Sequence, residues 1–237
     1  MPYYGYGYRM MWDPTYILII IGGLLSMWAS ARVNSTFNRY AQVPSRTGMT
    51  GAEAALRLLH SQGIYDVTVH RVHGKLTDHY DPRTKTVNLS DGVYGQTSIA
   101  ALGVAAHECG HAIQDHVSYA PLKLRGAFVP VANLGSMLSW PLIILGIIIG
   151  MTPFVKLGIW MFSLALLFQV ITLPVEFNAS RRAVVLLDQL GILSGSEVDG
   201  TRKVLKAAAL TYVAAVAVSL LQLFRLILLF GGRRDDD

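Results

Sequence analysis

Charge is what this sequence has least of. Of its 237 residues only 15% are charged and 52% are hydrophobic, with a mean hydropathy of +0.41. A domain bathed in water carries about a quarter charged residues, so the deficit points to lipid-facing surface. Cysteine is nearly absent. Cys109 is the single thiol, which excludes an intrachain disulfide and gives no sign of an oxidising compartment. Acidic side chains number 15 against 20 Lys and Arg, a formal charge of +5. In so apolar a chain that excess reads as cytoplasmic flanking charge, and no nucleic-acid partner is expected. Internal repeats and low-complexity tracts are missing. The N-terminus shows neither a basic leader nor a small-residue cleavage site, so its first apolar run reads as a retained anchor.

What the sequence does contain is four uncharged stretches long enough, or nearly so, to cross a bilayer, which takes about 20 apolar residues. They lie between Asp13 and Arg32, Arg125 and Lys156, Lys156 and Glu176, and Lys206 and Arg225. The second contains Pro130 and Pro141, so only part of it need be buried. The fourth leaves open whether it spans fully, and Arg225 is expected to snorkel to the interface. Ahead of the first span, Tyr3, Tyr4, Tyr6, Tyr8, Trp12 and Tyr16 suit an interfacial aromatic belt.

These runs imply a mainly α, polytopic membrane protein with about four transmembrane helices and a small α+β insertion. The segments expected are an aromatic N-terminus and first span (1–31), a cytoplasmic α+β part (32–125), a transmembrane hairpin (126–176), a cytoplasmic helical loop (177–206), and a fourth span with its tail (207–237). Within the α+β part, Thr50-Gly-Ala-Glu53 is a capping-box pattern that opens a short helix closed by Gly63. Val67–Val72 alternates like a strand. Asp81-Pro82-Arg83-Thr84 is a turn joining Leu76–Tyr80 to Thr86–Ser90 as a hairpin. Ser98 caps a helix from Ile99 to about Val117.

That last helix carries His107-Glu108-Cys109-Gly110-His111, which fits H-E-x-x-H. Positions four apart on a helix face the same way, so both imidazoles can hold one metal ion while Glu108 serves as general base. Cys109 lies about 200° round the helix from His107 and reads as a small buried residue. His60, His70, His73 and His116 have no partner spacing. A catalytic zinc needs a third protein ligand and an open position. A histidine six places beyond His111 would supply it in one pattern, but Val117 stands there. Glu176, directly after an apolar span, is the strongest candidate, and an interfacial ion pair with Arg181 or Arg182 is its rival reading. The residues alone do not separate the two. Topology favours the ligand, because two spans between His111 and Glu176 return the chain to the same membrane face.

The chain resembles the YugP-like bacterial membrane zinc metallopeptidases, which share motif logic with the HtpX and CAAX prenyl proteases. The resemblance runs through Gly74–Pro82, Val87–Ser90, Ser98–Ala101, Val104–Gln114, Tyr119–Leu122, Val175–Ala183 and Ala207–Ala214. It implies one zinc ion per chain at His107, His111 and Glu176, with Glu108 as base, in a bacterial plasma membrane. It also implies a protein or peptide substrate whose extended backbone pairs with an edge strand at Val87, Asn88 and Leu89. Four places after Glu176, where the wider pattern has an aspartate, this chain has Ser180. Asn178, Ser180 or Asp115 is then expected to orient a ligand histidine. His79, Tyr80 and Arg181 are candidate stabilisers of the oxyanion.

Two other readings compete. A site-2-type protease would bury its motif within a span, but here only Ile99–Ala106 is continuously apolar before it. A membrane scaffold with a vestigial metal site would not need an intact Glu108. Arg32, Arg39, Arg46, Lys123 and Arg125 flank the first loop; Arg181, Arg182, Arg202, Lys203 and Lys206 flank the later one. Arg9, Lys156, Arg233 and Arg234 lie on the other side. That asymmetry makes the catalytic loops cytoplasmic and the termini external. The oligomeric state is left open.

Overall fold

A computed structural model describes residues 13–231 of the chain. Tyr3, Tyr4, Tyr6, Tyr8 and Trp12 of the aromatic cluster, together with Arg9, Arg233 and Arg234, lie outside the described residues. Six helices and three strands follow in the order α1 (Tyr16–Ala41), α2 (Gly51–Ser61), β1 (Thr68–Val72), β2 (His79–Asp81), β3 (Thr86–Ser90), α3 (Ile99–His116), α4 (Ala120–Ile148), α5 (Thr152–Gln189) and α6 (Ser196–Phe230). The protein is mainly α and polytopic, as its apolar runs imply.

The chain divides into two compact units. One comprises Phe128–Val170 with the segments up to Ala29 and from Val213; the other comprises Ser30–Ala127 and Ile171–Tyr212.

The first unit draws on α1, α4, α5 and α6, the four helices long and apolar enough to cross a membrane. They have 26, 29, 38 and 35 residues. At 1.5 Å per residue they are about 39–57 Å long, more than the roughly 30 Å of a hydrocarbon core. The fourth run is thus part of a helix of full spanning length. Large apolar side chains such as Leu24, Met27, Trp28, Ile144 and Trp160 point outward, as lipid solvation requires. Inside, small residues let backbones touch: a Cβ on Gly135 would lie 2.6 Å from the Met161 carbonyl oxygen, and one on Gly158 2.7 Å from that of Ser139. Pro130 and Pro141 are both accommodated within α4. Arg225 packs against Tyr16 of α1. It is 7% exposed, and its guanidinium lies 4.6 Å from the centroid of the Tyr16 ring, an aromatic face taking the place of water.

In the second unit the local signals act as read. Thr50 and Glu53 form the capping box of α2 reciprocally, and Ser98 caps α3 by accepting from the Ala101 amide at 3.2 Å. The hairpin forms with His79 opposite Asn88 and Asp81 opposite Thr86. Its first arm is His79–Asp81 and not Leu76–Tyr80; Leu76 takes a positive φ of 60°, outside strand geometry. The sheet order is β1-β3-β2, with β1 parallel to β3. This corrects the expectation that Thr86–Ser90 is an edge: β3 is the central strand, and β1 and β2 are the edges. Val87 and Leu89 are fully buried and join Leu58, Leu102 and Ile113 in the core.

Helix α5 does not stop at Glu176 but continues to Gln189, so Glu176 sits mid-helix. The motif helix α3 is not one of the four long apolar helices, as expected for a motif outside the spans.

Candidate metal centre

The site is assembled where α3 meets α5. Gly110, inside the motif, has no side chain to hold the helices apart: a Cβ there would come within 2.7 Å of the Ala179 carbonyl oxygen. Two turns earlier on the same face, α3 presses Gly103 against Thr201 of α6, 2.9 Å from the nearest side-chain atom to a built Cβ. The contact with α5 sets Glu176 opposite His107 and His111. Glu176 Oε2 lies 3.3 Å from His107 Nε2 and 3.7 Å from His111 Nε2. Ligand atoms of these three residues all fall within 4.8 Å of one another. The imidazole rings stand edge to face, their centroids 4.8 Å apart.

Each ring is held through its other nitrogen. His107 Nδ1 is 3.1 Å from the Ser180 hydroxyl, and His111 Nδ1 is 3.0 Å from Gln114 Oε1. Both Nε2 atoms therefore turn towards the carboxylate. A tetrahedral zinc with arms of about 2.0–2.1 Å spaces its ligands about 3.3 Å apart. The carboxylate-to-imidazole distances of 3.3 and 3.7 Å are near that spacing, within a donor set spread over no more than 4.8 Å. Three protein donors also leave one tetrahedral position for solvent or substrate, the pattern of a catalytic rather than a structural zinc.

The electrostatics favour a cation. Glu108 and Glu176 are 8% and 3% exposed, so two carboxylates sit in a poorly solvated pocket. Burial disfavours the His111 imidazolium, but Glu176 and Glu108 outweigh that and raise the ring above the ordinary histidine pKa.

Glu176 does pair with an arginine, but among the described residues neither Arg181 nor Arg182 is that partner. The arginine beside it is Arg125 of α4, whose Nη1 is 3.6 Å from Oε1, while Arg182 Nε donates to Asn178 Oδ1 at 2.8 Å. Arg181 lines a groove of about 250 Å³ with Gln62, Arg182, Val185 and Leu186. Of the three residues expected to orient a histidine, Ser180 touches His107 directly. Asn178 reaches His111 only through Gln114, and Asp115 is engaged elsewhere, accepting from Tyr80 Oη at 2.8 Å and from Lys85. Tyr80 thereby spends its hydroxyl on Asp115. His79 contacts the Thr77 carbonyl oxygen and the Asn88 side chain, and among the described residues it makes no bond to the three ligand candidates. Cys109 is fully buried with Sγ 3.6 Å from the Ala55 carbonyl oxygen, and burial pushes its thiol pKa up. It is the inert packing residue that its helix position implies.

Three neighbours of the site carried no functional reading in the sequence: Gln114, Arg125 and Tyr212, the last reaching Glu176 from α6. Gln114 had a local signal, since it lies three residues after His111 on one helix face. Arg125 and Tyr212 come from separate helices and had none.

Comparison with known proteins gives the same chemistry. The family described as "Putative neutral zinc metallopeptidase" matches residues 15–231. A Bacillus subtilis (strain 168) protein named "Putative membrane protease YugP" is 47% identical over 223 residues, covering 94% of this chain and 99% of that relative. No solved structure matches the chain.

Proposed function

The chain belongs to this family of neutral zinc metallopeptidases, and from that premise we propose that it is a membrane-embedded endopeptidase acting on membrane-associated proteins or peptides. His107, His111 and Glu176 hold one zinc ion, and Glu108 is the general base. The observation that carries this reading is the convergence of two Nε2 atoms on Glu176 Oε2 while both Nδ1 atoms are occupied.

Zinc, when bound, supplies Lewis acidity that polarises a carbonyl and makes water nucleophilic at about pH 7. The protein supplies the rest. Glu108, next to His107 and shielded from solvent, accepts a proton from the attacking water and returns it to the departing amine. Glu176 would offer a carboxylate oxygen to the metal, while Arg125 Nη1, 3.6 Å from Oε1, helps to orient the carboxylate. The substrate role expected of Val87, Asn88 and Leu89 passes to β2, because β3 has a strand on either side. Among the described residues the outer edge of His79–Asp81 carries no further strand, and Tyr80 anchors it to the metal-site helix through Asp115. An extended substrate backbone pairs there by strand addition.

The basic residues flanking 32–125 and 177–206 support a cytoplasmic site in a bacterial plasma membrane, with both termini external. The test is peptide release from a reconstituted membrane proteome by wild type and by Glu108→Gln. The variant should keep its zinc and lose about 10²–10⁴-fold in rate. Equal turnover by the two would refute Glu108 as the base.

A further inference from the structure

We infer that Gln114, Asn178 and Arg182 form a positioning chain that fixes the tautomer and orientation of His111, making it the preset ligand of the pair and His107 the adjustable one. The inference rests on the zinc reading above. It follows from the direction of four hydrogen bonds. Gln114 is fully buried, so its amide must satisfy itself within the protein. Its Nε2 faces the Val175 carbonyl oxygen at 2.8 Å, and a carbonyl can only accept. The amide group therefore cannot be turned the other way, and Oε1 must face His111 Nδ1 at 3.0 Å. An oxygen there requires Nδ1 to carry the proton, which leaves the lone pair of Nε2 for the metal.

Asn178 is oriented by the same logic from the far end. Arg182 Nε donates to Asn178 Oδ1 at 2.8 Å, and a guanidinium has no acceptor. Oδ1 is thus the atom presented to Gln114 Nε2, 3.0 Å away. Every link has one permitted direction, set by an obligate donor at one end and an obligate acceptor at Val175. Because Val175 precedes Glu176, the same amide also ties α3 to the backbone beside the third ligand.

His107 has no such constraint. Its Nδ1 partner is the Ser180 hydroxyl, which rotates and serves as donor or acceptor. The two histidines, alike in the motif, are therefore held in different ways. Outer partners of metal-ligating histidines typically account for about 10–100-fold in metal affinity.

The experiment measures zinc affinity of the full-length protein in detergent by competition with a chromogenic chelator. Gln114→Met, of similar volume, should weaken zinc about 10–100-fold, and Asn178→Leu should weaken it by less. Asn178→Asp keeps an oxygen towards both Gln114 and Arg182 and should restore wild-type affinity; a fold that merely needed this volume filled would prefer Asn178→Leu. In zinc-free protein labelled with ¹⁵N-histidine, at a pH where the rings are neutral, the His111 shifts should report Nδ1–H in wild type and Asn178→Asp. Ser180→Ala should cost less than Gln114→Met. If Gln114→Met does not fold, the comparison of Asn178→Leu with Asn178→Asp stands alone. Equal affinities across these variants, or an Nε2–H tautomer at His111, would overturn the inference. A wild type that binds zinc no better than Glu176→Ala would instead remove the zinc reading beneath it.

Discussion

Gly110 and Ala179 are in backbone contact: a Cβ on the glycine would stand 2.7 Å from the alanine carbonyl oxygen and 3.0 Å from its Cα. Neither neighbour is the tip of a flexible side chain, so one helix must move if Gly110 gains a methyl group. Since α5 carries Glu176 three residues before Ala179, that movement draws the third ligand away from the histidines. Gly110→Ala should destabilise the protein by about 1–3 kcal/mol and weaken zinc binding. Thermal unfolding and chelator competition check both. Wild-type values in each would mean the helices have slack that the close approach denies.

Glu176→Ala should strip the site of metal, because only two protein ligands remain. Asp115→Asn should not, since Asp115 is engaged with Lys85 and Tyr80. Zinc content per chain after dialysis against a weak chelator separates them. Stoichiometric zinc in Glu176→Ala would move the third-ligand role to another residue.

The Asp115 carboxyl also makes stability depend on pH. Burial alone would raise its pKa, but the bonds from Lys85 and Tyr80 outweigh burial and hold it below the ordinary carboxylate value. A depressed folded pKa stabilises the protein above the unfolded value of about 3.9, and that contribution is lost as pH falls through the lower folded value. Lys85 is 42% exposed in this pair, so solvent screening limits the effect to roughly 1 kcal/mol or less. Lys85→Met should therefore lower stability at about pH 7, with the difference shrinking below the carboxylate range. A difference that persists unchanged in acid would assign it to packing instead.

Orientation is tested by labelling. In a Cys109→Ser background, where the hydroxyl can still meet the Ala55 carbonyl, a cysteine replacing Asn34 should react with an impermeant reagent only after the cells are opened. Labelling from outside intact cells would invert the orientation.

Local chemistry made much of this protein legible in its sequence. Thr50 with Glu53, Ser98 before an apolar run, and His107 with His111 are relations between residues three or four apart, which a helix fixes without outside help. The four apolar runs are legible for a similar reason, since a bilayer selects on length and composition.

What only the tertiary structure decided is how distant segments meet. The β1–β3 pairing makes Thr86–Ser90 central rather than an edge, and a strand's alternation is the same in either place. Contact between α3 and α5 puts Glu176 Oε2 beside the two imidazoles, while Arg182 meets Asn178 one turn back on its own helix. Ser180 and Gln114 became the partners of the histidines because that contact supplied the Ser180 hydroxyl and the Val175 carbonyl that orients Gln114. Spacing along a chain sets which side chains share a face; which face of another helix they meet depends on packing, and here a missing Cβ at Gly110 allowed it.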